Sequence, residues 1–246
     1  MSTDARLMTE WKENKISAVD VFVLCAGKQT RYQSLTSKMM ADIGGRPAFQ
    51  HTMDTLLAVF PARSIYIITS TLFPDLNRFI RSTYPKVVAM VDHEPGRGTA
   101  VSFRDALHAW ENDIAFVVEG DIFFTPDLIC GSLRMLRMEG EGVCCISVTP
   151  HINKAPTHRA IVLQAGEVII LSGVKSETTY LRNIGAYVLR KYVMSSVLAD
   201  RHTNFIDTIW GIQKADHKVL AYLHHGPYLH LACHKDKTVW ESFFLS

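Results

Sequence analysis

The amino-acid sequence predicts an α/β protein with helices on both faces of a mixed, mostly parallel sheet. Short β-branched runs alternate with amphipathic stretches through the first part of the chain, and after about residue 140 the runs follow one another more closely. Alternation of this kind is typical of right-handed βαβ units. The chain has 246 residues, which fits one domain with a substantial buried core.

The first half of the chain supplies strands and helices in alternation. Strands are predicted at 19–26, which stops before Gly27, and at 64–69, 87–91 and 114–119. Each is a continuous apolar run, which is typical of a strand buried on both faces. Helices are predicted over 47–60, 72–84 and 99–110, the last with an apolar stripe of Val101, Ala106, Leu107 and Trp110.

The second half predicts antiparallel or mixed strands. They lie at 143–149, in two runs around the Ala165-Gly166 turn, and at 183–189, with helices at 190–199 and 203–214. No repeat, low-complexity segment or Pro/Gly/Ser-rich linker divides the chain. We therefore predict an N-terminal extension over 1–17 and a single domain over 18–246.

Charge and hydropathy exclude several classes of protein. The 26 basic and 24 acidic side chains give a net charge of +2, which excludes a strongly basic nucleic-acid binder. No stretch approaches the ~20 apolar residues of a membrane span, and the N-terminus lacks the apolar core of a signal peptide. The five cysteines are scattered and expected to be reduced. We expect a cytoplasmic protein without nucleic-acid or membrane partners, and its oligomeric state stays open.

The loop after the first strand is the first candidate site, because ligands bind at the carboxyl ends of strands in open α/β sheets. Residues 24–47 read LCAGKQTRYQSLTSKMMADIGGRP. Gly27 lets backbone amides approach a phosphate, and Lys28, Arg31 and Lys38 place cations close together. The loop is neither a Walker A loop nor a GxGxxG fingerprint. From these residues alone, a solvated basic loop is the alternative.

This loop resembles the signature of the sugar nucleotidyltransferases: A-A-G-x-G-[TS]-R, a spacer, P-K, and G-x-P opening a helix. Residues 25–31 match most of the first part, Lys38 falls at the family lysine, and residues 45–47 supply the end. Two residues depart from the pattern. Gln29 replaces a glycine, where it would crowd the loop or change its backbone angles, and Ser37 replaces the proline before the lysine.

Further segments resemble the same family in the same order, over about residues 19–235. Residues 93–100 resemble the family's Q-x-P-x-G-T-A turn, and Gly120-Asp121 resembles its G-D after a strand. Lys175 stands at the lysine of the family's E-K-P motif, residues 183–187 match its N-x-G-x-Y motif, and Asn204 and Asp207 lie in the region of its E-x-x-D motif. The resemblance implies a Rossmann-like three-layer α/β/α fold of the nucleotide-diphospho-sugar transferase type. Its nucleotide-binding half would cover about 18–140 and its acceptor-binding half about 141–246.

The resemblance implies attack of an acceptor phosphate on the α-phosphorus of a nucleoside triphosphate, with pyrophosphate leaving. The acceptor would be a phosphorylated sugar or a related phosphorylated alcohol such as phosphocholine. Arg31 would face the pyrophosphate, Lys38 the α-phosphate, and Asp121 a metal ion. The implied nucleotide-binding residues are Leu24, Ala26, Gly27, Lys28, Gln29, Thr30, Gly98 and Thr99, and the implied acceptor-binding residues are Lys175, Asn183 and Gly185.

Magnesium is the metal that the resemblance implies, since it binds carboxylates together with substrate phosphates. Asp121 is the expected ligand, and a turn or N-cap role before the TPDL segment is its alternative. His230 stands where the family has a second metal-binding aspartate. Imidazole suits Mn²⁺ better than Mg²⁺, so Mn²⁺ is an alternative and a structural hydrogen-bonded role for His230 is another. The alternation of side chains predicts a strand over 228–234. On a straight strand His230 and His234 would lie about 13 Å apart, at ~3.3 Å per residue, which is too far for the two rings to share one ion.

Other classes of protein stay open at this point. The departures at Gln29, Ser37 and His230 also fit a degenerate domain that binds nucleotide or a partner chain without turnover. A glycosyltransferase of related topology would carry a D-x-D motif at the end of a strand, and Glu119-Gly120-Asp121 is only an approximate substitute.

Overall fold

The computed structural model describes residues 16, 18–29, 32, 34, 36–140, 142–149, 159–164, 167–172, 181–197 and 204–245. The predicted extension therefore lies outside the described residues, apart from Ile16. The strands are β1 (Val19–Leu24), β2 (Asp42–Ile43), β3 (Arg46–Pro47), β4 (Ile65–Ser70), β5 (Val88–Asp92), β6 (Ile114–Glu119), β7 (Ile122–Phe124), β8 (Cys144–Thr149), β9 (Arg159–Gln164), β10 (Glu167–Ser172), β11 (Arg182–Arg190), β12 (Val219–Leu223) and β13 (Tyr228–His230).

The helices of the described residues lie between these strands and after the last of them. They are α1 (Ala48–Val59), α2 (Pro74–Thr83), α3 (Thr99–Ala106), α4 (Pro126–Met138), α5 (Lys191–Val197), α6 (Phe205–Lys214) and α7 (His234–Leu245). Short 3-10 turns lie at Lys38–Met40, Ala62–Ser64 and Leu107–Ala109. The predicted helix over 99–110 thus consists of α3 and a 3-10 turn.

The main sheet of the described residues has the strand order β12-β8-β11-β6-β1-β4-β5. Only β11 runs antiparallel to its neighbours, β6 and β8, while the other pairings are parallel. The prediction of a mixed, mostly parallel sheet is confirmed. β9 and β10 form the predicted antiparallel hairpin.

The strands separate two apolar layers because successive side chains point to opposite faces of the sheet. Along β1, Val21 and Val23 join the layer under α1, α2 and α4, and Phe22 and Leu24 join the layer under α3 and α6. This arrangement gives the three-layer α/β/α fold. β1 ends at Leu24, and the loop after it opens at the carboxyl edge of the sheet.

The expectation that 87–91 is buried on both faces is wrong. Within the part of the chain that the structure describes, β5 is an edge strand paired with β4 alone, and Val88 is 41% exposed. A continuous apolar run does not distinguish an edge strand from a central one, because the local pattern does not contain the strand order.

The expectation of one strand over 228–234 is also wrong. β13 ends at His230 because its partner β7 has only three residues to pair with. Asp236 lies in the first turn of α7 and accepts hydrogen bonds from the amides of Ala232 and Cys233, at 2.8 and 2.7 Å. The chain after His230 therefore turns into α7, which begins at His234. The predicted separation of His230 and His234 along a straight strand therefore does not apply.

Two further properties of the chain concern its surroundings. Among the residues that the structure describes, none of the helices has the length and apolar character needed to cross a membrane. All five cysteines are free thiols, and Cys25, Cys144 and Cys145 are buried.

Candidate active site

A cleft of about 600 Å³ opens at the carboxyl ends of β1 and β6. The residues named from the sequence that line it are Leu24, Gly27, Gln29, Lys38, Thr99, Asp121, Asn183, Asn204, Asp207 and His230. Ala26 and Gly98 line a small recess that shares Leu24, Gly27 and Thr99 with the cleft. The rule that ligand sites form where parallel strands end therefore located this cleft. Thr30, Arg31 and Lys175 lie outside the described residues.

A buried ion pair stands in this cleft. The ammonium group of Lys38 contacts Asp121 Oδ2, and the two side chains are only 10% and 9% exposed. Burial by itself would raise the pKa of Asp121, but the Lys38 ammonium and then the His230 ring bring that pKa well below its usual range. Asp121 is therefore an anion at neutral pH.

Glycine is required at the turn that carries Asp121. A Cβ on Gly120 would lie 2.4 Å from Cys25 Sγ, inside the packed interior. The Gly120 amide donates to Leu24 O at 3.0 Å, and Asp121 O accepts from the Leu231 amide at 2.8 Å. The main chain of Asp121 is thus held from β1 on one side and from the segment after β13 on the other.

His230 lies between Asp121 and Arg182. Its Nε2 is 3.2 Å from Asp121 Oδ2, and its Nδ1 is 3.4 Å from Arg182 Nη2. A guanidinium can only donate hydrogen bonds, so Nδ1 of a neutral ring accepts a hydrogen bond from Arg182. Nε2 then carries the ring proton and donates a hydrogen bond to Asp121. Arg182 also lies 5.8 Å from the ring centroid of Tyr228.

Glu119, Asp121 and His230 form a group that could hold a metal ion. One ligand atom from each lies within 4.8 Å of the others. The carboxylates suit a hard divalent cation, and the imidazole widens the choice towards Mn²⁺. A histidine that binds a metal through one ring nitrogen normally donates a hydrogen bond from the other, whereas here the other nitrogen, Nδ1, faces the donor Arg182. The two carboxylates therefore fit a cation directly, and ligation by His230 Nε2 requires loss of its proton.

Gln29 and Ser37, the two departures from the family pattern, contact each other. Gln29 has a φ of +54°, the left-handed conformation that a glycine adopts readily. Ser37 has φ −58° and ψ 132°, which a proline also adopts. Gln29 Nε2 donates to Ser37 Oγ at 3.0 Å, and Gln29 Oε1 accepts from the Lys38 amide at 2.5 Å. The backbone at Gln29 therefore has a φ that suits glycine, so the expected change in backbone angles is absent there. The side chain of Gln29 lies within the loop.

The turn over 93–98 lies beside this loop. Gly96 and Gly98 have φ values of +84° and +110°, and a Cβ on Gly96 would meet the stem of Lys28 at 2.1 Å. Arg97 pairs with Glu94 of this turn at 3.3 Å, with Asp92 at the end of β5 at 3.6 Å, and with Asp105 of α3. Lys28 thus packs against a turn whose positive φ values favour glycine, and Arg97 connects that turn to β5 and α3.

Two of the three predicted acceptor-binding residues, Asn183 and Gly185, lie on β11. Asn183 Oδ1 accepts from the Gly185 amide at 2.9 Å, and Asn183 Nδ2 donates to the Tyr187 hydroxyl at 2.5 Å. Gly185 has a φ of +88°, and a Cβ there would approach Glu119 Cδ to 3.0 Å. Gly185 therefore leaves room for the Glu119 side chain, and Asn183 is oriented by its own strand.

The sequence did not identify Arg182 as a site residue, and it identified Glu119 only as part of an approximate D-x-D. The signal for Glu119 was present: residues two apart at the end of a strand share a face, and Asp121 was already a candidate. The signal for Arg182 was absent, because its contact with His230 spans 48 positions of sequence.

The mixed α/β sheet carries a charged cleft at its carboxyl edge, with the ionised Asp121 and Lys38 on it, as expected for a nucleotidyltransferase domain. Residues 21–191 match the model of the MobA-like NTP transferase domain, and the chain belongs to that family. The resemblance to the sugar nucleotidyltransferases is confirmed.

Known relatives agree with this assignment. A bifunctional GlmU protein of Leifsonia xyli subsp. xyli is 28% identical over 183 residues, which are 72% of this chain and 36% of that protein. The chain thus spans about a third of that relative's length. The inositol-1-phosphate CTP transferase of T. maritima superposes with a TM-score of 0.73 at 16% identity, covering 92% of this chain and 94% of that one. HddC of Yersinia pseudotuberculosis, complexed with GMP-PN, gives 0.71 at 20% identity, covering 92% and 99%. These structures confirm the fold.

Proposed function

We propose that the protein converts a nucleoside triphosphate and a phosphorylated sugar, or a related phosphorylated alcohol such as phosphocholine, into the nucleoside-diphosphate-linked product and pyrophosphate. Family membership supports nucleotidyl transfer, and the buried Lys38–Asp121 pair in the cleft is the observation that carries the proposal. One structural neighbour is the inositol-1-phosphate CTP transferase of T. maritima, which supports keeping phosphorylated alcohols among the acceptors.

The reaction asks the protein mainly for positioning and charge neutralisation. An acceptor phosphate is already largely ionised at neutral pH, so it needs no strong base to become a nucleophile. Lys38 supplies a point charge for the α-phosphate, and its pairing with Asp121 fixes where that charge lies in the free protein. Backbone amides around Gly27, with Lys28 beside them, would cradle the triphosphate.

The remaining proposed contacts divide between the two substrates. Leu24, Ala26, Gln29, Gly98 and Thr99 would lie along the nucleotide, since they line the cleft or its recess. Asn183 and Gly185 would face the acceptor. Thr30, Arg31 and Lys175 keep the roles predicted from the sequence: the first two beside the triphosphate and the last on the acceptor phosphate.

A divalent cation, Mg²⁺ or Mn²⁺, completes the proposal. Asp121 and Glu119 would hold it through carboxylate oxygens, with His230 within reach as a third ligand. When bound, the cation would neutralise phosphate charge. We expect the reaction in the cytoplasm, without a nucleic-acid or membrane partner.

The experiment is a survey of pyrophosphate release. ATP, CTP, GTP and UTP are each incubated with Mg²⁺ or Mn²⁺ and a panel of sugar 1-phosphates, inositol 1-phosphate and phosphocholine. One combination should release pyrophosphate, Asp121→Asn should abolish that release, and Glu111→Gln, an exposed carboxylate outside the cleft, should retain it. If no combination releases pyrophosphate while nucleotide still binds, the degenerate binding domain is the better description.

A further inference from the structure

We propose that Gln29 is a positioning residue for Lys38. Its side chain clasps the 3-10 turn that begins at Lys38 and thereby holds the lysine ammonium beside Asp121. The proposal rests on the proposed function, because it assigns Gln29 a purpose through the role of Lys38. It also gives the two departures at positions 29 and 37 a common purpose.

Both polar atoms of the Gln29 side chain are used by adjacent residues. The carbonyl oxygen accepts from the Lys38 amide at 2.5 Å, and the amide nitrogen donates to Ser37 Oγ at 3.0 Å. The Lys38 amide is the first of its 3-10 turn, so it has no partner within the turn itself. Gln29 therefore satisfies a donor that the turn would leave open.

Ser37 extends the clasp in two directions. Its Oγ accepts from the Met39 amide at 3.3 Å, and its own amide donates to Asp75 Oδ2 at 3.1 Å. Asp75 lies in the first turn of α2. The turn that carries Lys38 is thus fastened to the loop after β1 on one side and to a helix on the other.

This fastening bears on chemistry because Lys38 has a long, flexible stem. A lysine ammonium is a point charge with three rotatable donors and no planar fork to set its direction. Its position therefore depends on where its own backbone is held and on Asp121 at the other end. Nucleotidyl transfer relies on positioning, so a small displacement of the ammonium lowers the rate of the chemical step more than substrate binding.

The backbone makes the clasp open to a clean test. Position 29 has a left-handed backbone and position 37 a backbone that proline also adopts, and neither Gln29→Met nor Ser37→Ala introduces a glycine or a proline that would change the backbone restriction there. Gln29→Met keeps the length of the side chain and removes both hydrogen bonds. Ser37→Ala removes the hydroxyl on the other side, and the double variant shows whether the two side chains act as one unit.

The first readout does not depend on activity. A pulse of acetic anhydride followed by mass spectrometry measures how fast Lys38 is acylated, with the exposed Lys86 as internal control. We expect Gln29→Met to accelerate acylation of Lys38 severalfold and to leave acylation of Lys86 unchanged, while the loss of two hydrogen bonds lowers the thermal midpoint only slightly. Equal acylation of Lys38 in the wild type and the variant would overturn the proposal.

The second readout is steady-state kinetics on the substrate pair found by the survey. Gln29→Met should lower kcat by about 10- to 100-fold while the nucleotide KM changes by less than about threefold. Adding Ser37→Ala should change kcat by less than about twofold further, because the clasp is already open. Faster acylation of Lys38 with an unchanged kcat would show that the clasp serves the loop alone and would overturn the positioning role. If the wild type transfers no nucleotide, the proposed function fails, whereas the acylation experiment still decides whether Gln29 holds Lys38.

Discussion

Lys38 and Asp121 come together across 83 positions of sequence, and each side chain is about nine-tenths buried. Lys38 keeps Asp121 ionised in a place where an unpaired charge would be costly. The residues proposed for catalysis therefore also contribute to folding, and a variant at either position has to be assayed for both properties.

Removing either charge should destabilise the protein more than removing both. Lys38→Met and Asp121→Asn should each lower the free energy of unfolding by about 3–5 kcal/mol, since each leaves a buried charge unpaired. The double variant should lose less than either single variant, because it leaves no buried charge unpaired, and all three should be inactive. Urea unfolding followed by circular dichroism measures this.

The matched control is the exposed pair of Lys218 with Glu139, whose nitrogen and oxygen lie 3.0 Å apart. Lys218→Met should cost no more than about 1 kcal/mol, because exposed pairs contribute little. Strictly additive losses in the Lys38 and Asp121 variants would contradict the coupling.

The sequence could predict much of the fold because apolar runs and helical stripes are local. β6 has the predicted bounds, β1 ends two residues earlier than predicted, and β8 begins one residue later. What failed depended on partners: β5 is exposed because it lies at an edge, and β13 is short because β7 is short. The helices α4 and α7 and the strand β12 were not predicted at all.

The site was predictable to the extent that the carboxyl ends of strands determine it. Lys38, Asp121 and His230 were each expected there and do meet. The clasp of Gln29 on Ser37 was not foreseen, because a substitution read in isolation suggests crowding, whereas the structure shows two substitutions that hydrogen-bond to each other.

Arg182 should limit the use of His230 as a metal ligand. Its guanidinium donates to Nδ1 and so leaves the ring proton on Nε2, the nitrogen that faces Asp121. Arg182→Gln and Arg182→Met remove the same charge, but only glutamine can accept a hydrogen bond from a protonated Nδ1 and so free Nε2 to bind a metal ion. We expect Mn²⁺ to bind more tightly to Arg182→Gln than to Arg182→Met, as measured by calorimetry and by the electron paramagnetic resonance signal of free Mn²⁺. Equal Mn²⁺ affinities in the two variants would show that only charge matters there.

His230→Asp should move the metal preference towards Mg²⁺. The change supplies a third carboxylate to the group with Glu119 and Asp121, and hard oxygen ligands favour Mg²⁺ over softer ions. The ratio of Mg²⁺ to Mn²⁺ affinities should rise, and the ratio of the two activities should follow. A variant with a lower thermal midpoint and an unchanged affinity ratio would assign His230 a structural role.

His51 should make the packing of α7 sensitive to pH. The ring is 8% exposed, lies with Nε2 3.1 Å from Ile43 O, and stacks on Phe244 of α7 with centroids 4.0 Å apart. Burial lowers the pKa of His51 below its usual value, and the hydrogen bond to Ile43 offsets that shift only in part.

The unfolded chain therefore binds a proton at His51 more readily than the folded chain does. The free energy of unfolding should be highest above the ordinary histidine pKa of about 6.5 and should fall as the pH drops below it. His51→Phe keeps a ring against Phe244 and cannot take a proton, so its unfolding free energy should decline less between pH 7.5 and 5.5 than that of the wild type. Urea titrations at the two pH values, with the other histidines common to both proteins, make the comparison. Parallel pH profiles for the wild type and His51→Phe would mean that His51 does not titrate differently in the folded and unfolded chains.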